Sequence, residues 1–340
     1  MILILSQSSL EPTTEEVMDW VEALGGRCLR LNGDDIEGRS ALRFEIVDGR
    51  LSLRFESEGI ELPLQEIGAV WYRRWLYERR HETVGLLADP GADDHTLHHQ
   101  LRRHLTLESR RLSDFIFSSF EHLPWLSHPR RSSLNKLDVL RRAAGEGIAT
   151  PATLVTTERE ALRRFAARHG GEVITKPIGE VEAFIAGEVS HFLFTTPLGA
   201  AEIDALPESF APSLFQERVE KAYELRVFYL DGEFHAMAIF SQNDPQTRAD
   251  FRQYNRERPN RNVPYRLRPE LAERLLRLME GLELETGSID LLVTPDGREV
   301  FLEVNPVGQL GMVSRPCNYH LERKIAQLLL RKADAHERRP

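Results

Sequence analysis

A chain of 340 residues with 41% hydrophobic and 29% charged side chains is long enough for two or three domains with cores of their own. Its net charge of −9 offers no general basic field for nucleic acid, and two cysteines, Cys28 and Cys317, provide neither a disulfide framework nor a zinc spacing. No apolar run reaches the length of a membrane span, and Met1-Ile2-Leu3-Ile4-Leu5 follows no basic segment, so it predicts a first strand of a cytoplasmic protein and not a signal peptide.

In chain order, Met1–Leu5, Thr13–Leu24 and Arg27–Leu31 read as strand, helix and strand, with Thr13 or Thr14 and Glu16 marking the helix start. Leu42–Val47 and Leu51–Phe55 alternate around Asp48-Gly49 as a hairpin. Ala69–Tyr72 is a short apolar strand, and Asp94–Phe117 is one long amphipathic helix. Alternating β and α elements predict a small α/β domain over residues 1–130. Arginines cluster in it, at Arg73, Arg74, Arg79 and Arg80 and again at Arg102, Arg103, Arg110 and Arg111. Solvated faces account for most of them, and a local site for an acidic partner is the alternative.

From Ser132 the pattern restarts. Lys136–Glu146 is a helix ending at Gly147, Ala152–Val155 a strand, and Glu158–His169 a helix closed by Gly170-Gly171. The strand Glu172–Lys176 precedes a stretch, Gly179–Ser190, that reads as a mobile loop. Strands are predicted at His191–Thr195 and Leu214–Val219, and Glu224–Leu230 pairs with Phe234–Phe240 around Asp231-Gly232. Ser241–Leu267 is long, polar and rich in Arg and Asn, and loops of that length are functional or disordered. A helix at Pro269–Leu282 leads into two apolar runs, Gly287–Val293 and Glu299–Pro306, joined by Thr294-Pro295-Asp296-Gly297. The helix Asn318–Leu330 closes the chain. These segments predict one lobe over 131–213, a second over 214–332 and a tail at 333–340.

The last hairpin carries the chemistry. Asp290, Glu303 and Asn305 interrupt otherwise apolar strands, and alternation puts Glu303 and Asn305 on one face. Two carboxylates and an amide oxygen suit Mg2+ shared with nucleotide phosphates, and the plainer reading is an edge hairpin whose polar face meets water. Lysine usage bears on the choice. Of 44 basic residues only five are lysines: Lys136, Lys176, Lys221, Lys324 and Lys332. Where arginine is the default cation, a retained lysine marks a place for a compact point charge, as phosphate binding needs. Lys176 ends a strand before Pro177, and Lys136 begins a helix.

Lys136, Lys176-Pro177, the strand Gln216-Glu217-Arg218-Val219-Glu220, Arg226, and Asp290 with Glu303-Val304-Asn305-Pro306 resemble, in order, the motif set of the ATP-grasp fold. The segments Val70-Trp71-Tyr72-Arg73-Arg74-Trp75, Glu224–Tyr229, Asp250–Asn255 and Asn305-Pro306-Val307-Gly308-Gln309-Leu310-Gly311 resemble the grasp-with-spasm peptide maturases, relatives of the microviridin ligases that make graspetides. The resemblance implies an α/β (α+β) ATP-grasp fold preceded by a pre-ATP-grasp α/β domain. It implies an ADP-forming ligase that uses ATP and Mg2+ to phosphorylate Asp or Glu side chains of a ribosomal precursor peptide, leader plus acidic core. A Ser, Thr or Lys side chain of the peptide would then close an ester or amide ring.

By the same resemblance Lys136 and Lys176 hold phosphates. Gln216, Glu217, Val219 and Glu220 bind the nucleoside, and Asp290, Glu303 and Asn305 bind metal. Arg226 touches the transferring phosphate, and Asn305 doubles as a catalytic group with the amides near Gly308 and Gly311. Arg252, Tyr254 and Arg256 would meet the acidic peptide, in a segment expected to order on binding. No nucleic acid or membrane partner is expected, and a homodimer is compatible. The competing readings are a ligase using an external amine, and a non-catalytic peptide-binding scaffold.

Overall fold

The computed structural model describes residues 1–8, 11–34, 41–56, 64–75, 95–179, 184–186, 189–191, 195–242 and 257–338. The chain divides into two compact units, Met1–Arg130 with His320–Pro340, and Arg131–Tyr319.

The first unit is built on β1 (Ile2–Ser6), α1 (Pro12–Ala23), β2 (Cys28–Asn32), the hairpin β3 (Ala41–Val47) and β4 (Arg50–Glu56), β5 (Ala69–Tyr72), α2 (His95–Ser119) and β6 (Trp125–Leu126). Its main sheet has the order β2-β1-β5-β6, with every pair parallel. A parallel sheet is covered on both faces, which is why β1 and β5 are unbroken apolar runs buried along their whole length. The predicted strands, helices and Asp48-Gly49 hairpin of this region are all present, the long helix beginning at His95.

The carboxyl ends of β1 and β5 carry a buried ion cluster. Glu11 accepts from Arg73 Nε at 3.0 Å and lies 2.7 Å from Arg74 Nε. Burial pushes the Arg73 guanidinium down to about 10, although Glu11 acts in the opposite sense. Trp75 Nε1 donates to Ser113 Oγ at 2.9 Å and so fastens the end of the Trp71–Trp75 motif to α2.

The second unit runs α3 (Lys136–Gly145), β7 (Thr153–Glu158), α4 (Arg159–Arg168), β8 (Val173–Lys176), β9 (Phe184–Ala186), β10 (Val189–His191), β11 (Thr196–Leu198), α5 (Ala200–Ala205) and β12 (Ser209–Glu217). It continues with β13 (Tyr223–Leu230), β14 (Glu233–Phe240), β15 (Arg261–Tyr265), α6 (Pro269–Gly281), β16 (Thr286–Val293), β17 (Glu299–Asn305) and α7 (Gly311–Cys317). The described strands form two larger antiparallel sheets, β11-β8-β12-β7 and β15-β14-β13-β16-β17, and the two-stranded β10-β9 pair. The larger sheet buries Leu225, Val227, Ile289, Leu291 and Phe301 against Leu271, Leu275 and Leu278 of α6 and Val139, Leu140 and Ala143 of α3. Asp231 and Gly232, at φ 48° and 88°, make the tight β13–β14 turn that their sequence predicts.

Three expectations change. The described part of Gly179–Ser190 is not a bare loop, because Phe184–Ala186 pairs with Val189–His191. The long segment after Ser241 ends in a strand, β15, which adds to β14 by main-chain pairing that its polar composition hides. The terminal helix α8 spans Leu321–Glu337, longer than predicted, and belongs to the first unit, where it packs on α1, β1 and β5. Its apolar stripe, including Leu321, Ile325, Leu328 and Leu329, is buried there.

Candidate active site

Alternation builds one wall of the site. Leu214 pairs with Lys176 and Gln216 with Ile174, so these four share a face, and Val173, Thr175, Phe215 and Glu217 share the other. The second set turns toward α4, where Val173, Phe215, Leu162 and Phe165 form a core. On the first face Lys176, Ile174 and Gln216 line a cleft of about 720 Å³. Val219, Glu220 and Lys221 continue along it, and Glu220 is exposed. Gln216 is fully buried and donates to Thr153 Oγ1 at 3.0 Å, while its Oε1 has no partner among the described residues.

Glu217 departs from its expected role. Its carboxylate accepts from the Ala152 amide at 2.9 Å and lies 3.5 Å from His169 Nδ1, at the end of α4. The residue contributes to the cleft wall, but its side chain braces β12 against the β7 entry. Both carboxylates line the cleft, Glu217 with one oxygen held by the Ala152 amide and Glu220 exposed.

The opposite wall comes from the larger sheet. Arg226 pairs with Asp290, and Asp290 with Glu303, so the three side chains stand on one face of adjacent strands. Arg226 Nη1 reaches both Asp290 oxygens, at 2.6 and 2.5 Å, in a pair only 11% and 16% exposed. A register shift after Asp290 re-aims the strand at that point. Lys136 enters from α3 with Nζ 3.5 Å from Glu303 Oε2. Lys136, Asp290 and Glu303 all line the cleft, so the structure brings together the two predicted phosphate lysines and the two predicted carboxylates.

Lys136 owes its place to the helix start. The Asn135 side chain caps α3, accepting from Leu137 N at 3.0 Å and Asp138 N at 3.2 Å. Replacing Asn135 with alanine is expected to lower stability by about 1 kcal/mol. Urea denaturation would measure that loss, and an unchanged midpoint would show the cap to be dispensable.

Asn305 stands opposite Ser288 on the Glu303 face, at the exposed end of β17. Its Oδ1 accepts from Val307 N at 3.1 Å, which occupies one of two lone pairs. The Gly308 amide donates to the Asn305 carbonyl at 3.1 Å, so this amide closes a turn and is not offered to an oxyanion as expected. A Cβ on Gly308 would overlap the Ser288 side chain and stand 2.8 Å from its amide, so only glycine lets this turn approach β16.

Among the described residues no three His, Cys, Asp or Glu side chains cluster as metal ligands. Asp290, Glu303 and the Asn305 amide still fit Mg2+, which holds on to waters and substrate phosphates and needs only one or two carboxylates from protein. Arg252, Tyr254 and Arg256 lie outside the described residues.

One group in the cleft was missed from sequence. Lys221 Nζ lies 2.5 Å from Glu224 Oε1, and Ser241 Oγ donates to Glu224 Oε2 at 2.6 Å. Glu224 shares a strand face with Arg226, two residues on. Lys221 is one of the five lysines, and its partner Glu224 is three residues on, but nothing local to the sequence announces Ser241, just past β14, as the second partner of Glu224.

Residues 1–133 match the family described as the MvdD pre-ATP grasp domain. No curated protein matches significantly. Among solved structures, the chain is similar to a Chryseobacterium gregarium RiPP-associated ATP-grasp ligase in complex with ADP and a leader and core peptide, at 24% identity and TM-score 0.83 over 97% of this chain and 96% of that one. It is also similar to the macrocyclase MdnC bound with precursor peptide MdnA from Microcystis aeruginosa MRC, at 27% identity and TM-score 0.78 over 97% and 99%. The macrocyclase MdnB from the same organism matches at 25% identity and TM-score 0.75 over 97% and 98%. With the two-sheet cleft, these likenesses give the chain the ATP-grasp fold, with residues 1–133 matching the MvdD pre-ATP grasp domain and nearly the whole length similar to the macrocyclases MdnC and MdnB.

Proposed function

We propose that this protein is an ADP-forming ligase that closes side-chain rings in an acidic ribosomal precursor peptide. The observation that carries the reading is the cleft itself, where Lys176 from one sheet and Asp290 and Glu303 from the other, with Lys136 beside Glu303, line a space large enough for a nucleotide. Similarity to MdnC, a macrocyclase bound with its precursor peptide, supports the substrate class.

The chemistry follows from what the residues can do. A carboxylate is a poor electrophile until it acquires a leaving group. Its oxygen attacks the terminal phosphorus of ATP and ADP departs. A hydroxyl or amine of the same peptide then attacks the acyl carbon, loses its proton, and phosphate departs. Each ring removes one water from the peptide and converts one ATP to ADP and phosphate.

Lys136 and Lys176 bind and orient the phosphates as point charges. Arg226, anchored on Asp290 through Nη1, has further donors for the transferring group. Mg2+ held by Asp290, Glu303 and Asn305 would neutralise the charge that develops on the phosphate oxygens. Gln216, Val219 and Glu220 line the nucleoside end of the cleft, with Glu220 open to ribose hydroxyls. Arg252, Tyr254 and Arg256 are proposed to meet the peptide's carboxylates, since interleaved guanidiniums and aromatic rings suit an acidic extended chain.

The test is incubation with an acidic precursor peptide that carries Ser, Thr or Lys beside its Asp and Glu residues, together with Mg-ATP, read by mass spectrometry. Loss of one water mass per ring is expected. Gain of an external amine's mass would favour the alternative ligase, and no ATP-dependent change would favour a scaffold. Lys176→Ala should weaken nucleotide binding more than Lys324→Ala, because only Lys176 lines the cleft. Calorimetry decides this, and equal affinities would remove Lys176 from the phosphate site.

A further inference from the structure

The first unit holds a cation cluster that the proposed reaction does not use. Arg73 and Arg74 end β5 beside β1, and from β1 the sheet grows in opposite directions, to β2 on one side and β5 on the other. Open parallel sheets bind ligands at the carboxyl ends of strands where their order reverses in this way. One carboxylate, that of Glu11, serves both guanidiniums and is only 2% exposed. Glu11 is thus a shared counterion of the two guanidiniums.

The two arginines differ. Arg73 is buried, whereas the Arg74 side chain is 32% exposed. Glu11 engages Arg74 through Nε at 2.7 Å, and no other partner of Arg74 is found among the described residues. An arginine anchored by Nε keeps its planar Nη1–Nη2 edge for a second anion, with its rotamer entropy already reduced by the anchor. A second observation lies at the end of β1 and the start of α1, the helix that follows Glu11. Ser6 closes β1 and Thr14 lies in the first turn of α1, and both hydroxyls are fully buried without a hydrogen-bond partner among the described residues.

We propose that Arg74, held by Glu11, is a carboxylate-recognition residue in the first unit that binds an Asp or Glu side chain of the acidic peptide. The inference rests on the peptide-ligase reading for the identity of its ligand. A carboxylate fits because its two oxygens match the spacing of the guanidinium edge.

The test uses the labelled precursor peptide and a counterpart in which every core Asp and Glu is replaced by Asn and Gln, with binding followed by fluorescence anisotropy. The wild-type protein is expected to prefer the acidic peptide by roughly tenfold or more, the range of a charge-assisted hydrogen-bonded pair. Arg74→Ala should lose most of that preference while binding the amide peptide as before. Arg74→Lys, which retains a cation for Glu11 but has no second planar edge, should melt with the wild type and still lose most of the preference. Absence of a preference in the wild type, or an equal loss for both peptides in the folded lysine variant, would overturn the assignment. Cyclisation of the precursor by the same wild-type preparation with Mg-ATP reports on the ligase reading separately, because the binding comparison needs no turnover.

Discussion

Glu303→Gln is expected to abolish ring formation, with turnover reduced by at least about 100-fold, while the protein folds as before. Glu303 lies directly across from Asp290 on the same sheet face, with its Oε2 3.5 Å from Lys136 Nζ. Glutamine keeps the volume and the hydrogen-bonding length of the side chain but removes its charge. A hard cation shared with phosphates loses one of two protein carboxylates, and Lys136 loses its counterion. The fold should not suffer, because the Glu303 side chain is 27% exposed and packs in no apolar core. Circular dichroism melting and a cyclisation assay with Mg-ATP measure the two halves of this expectation. Wild-type turnover in the variant would remove Glu303 from the metal site.

Arg226→Lys should leave ATP binding essentially intact and slow ring formation by about 100-fold or more. The geometry separates two roles within one side chain. Nη1 alone reaches both Asp290 oxygens, so a lysine ammonium can preserve that ion pair and keep the Asp290 carboxylate neutralised. The other donors cannot be reproduced by a point charge. Nε is buried and has no partner among the described residues, as expected of a fork that meets its second partner only with substrate present. Arg226→Met tests the other half. It removes the guanidinium paired with Asp290 in a poorly solvated place and should cost about 3 kcal/mol of stability. Nucleotide calorimetry, single-turnover cyclisation and urea denaturation distinguish the cases. If the lysine variant cyclises at the wild-type rate, Arg226 serves only as the counterion of Asp290.

Most strands and helices were legible because their information is local. The unbroken apolar β1 and β5, the stripe of α6, and the Asp-Gly turn between β13 and β14 each express a period or a backbone preference within a few residues. The hairpin that carries Asp290, Glu303 and Asn305 was legible for the same reason. Asp290, Glu303 and Asn305 stand out against apolar neighbours, and alternation alone predicts that Glu303 and Asn305 share a face. The scarcity of lysine pointed to Lys136 and Lys176, and both line the cleft.

What pairs across long sequence separations was decided only by the tertiary structure. Arg226 meets Asp290 because β13 and β16 are neighbours in register, and no pattern within either strand encodes that register by itself. Glu217 was expected to meet the nucleoside because the ATP-grasp resemblance places the adenine site on this strand. Alternation on β12 instead turns its carboxylate to α4, where it satisfies the Ala152 amide. The buried Lys221–Glu224–Ser241 set required the end of β14 to return beside β13, and the strand β15 required β14 as its template. The terminal helix joined the first unit for the same physical reason: its apolar stripe specifies that it must be buried, but not against which surface. Composition and period determine which faces are apolar and which residues are chemically unusual, and packing and strand register determine which of them meet.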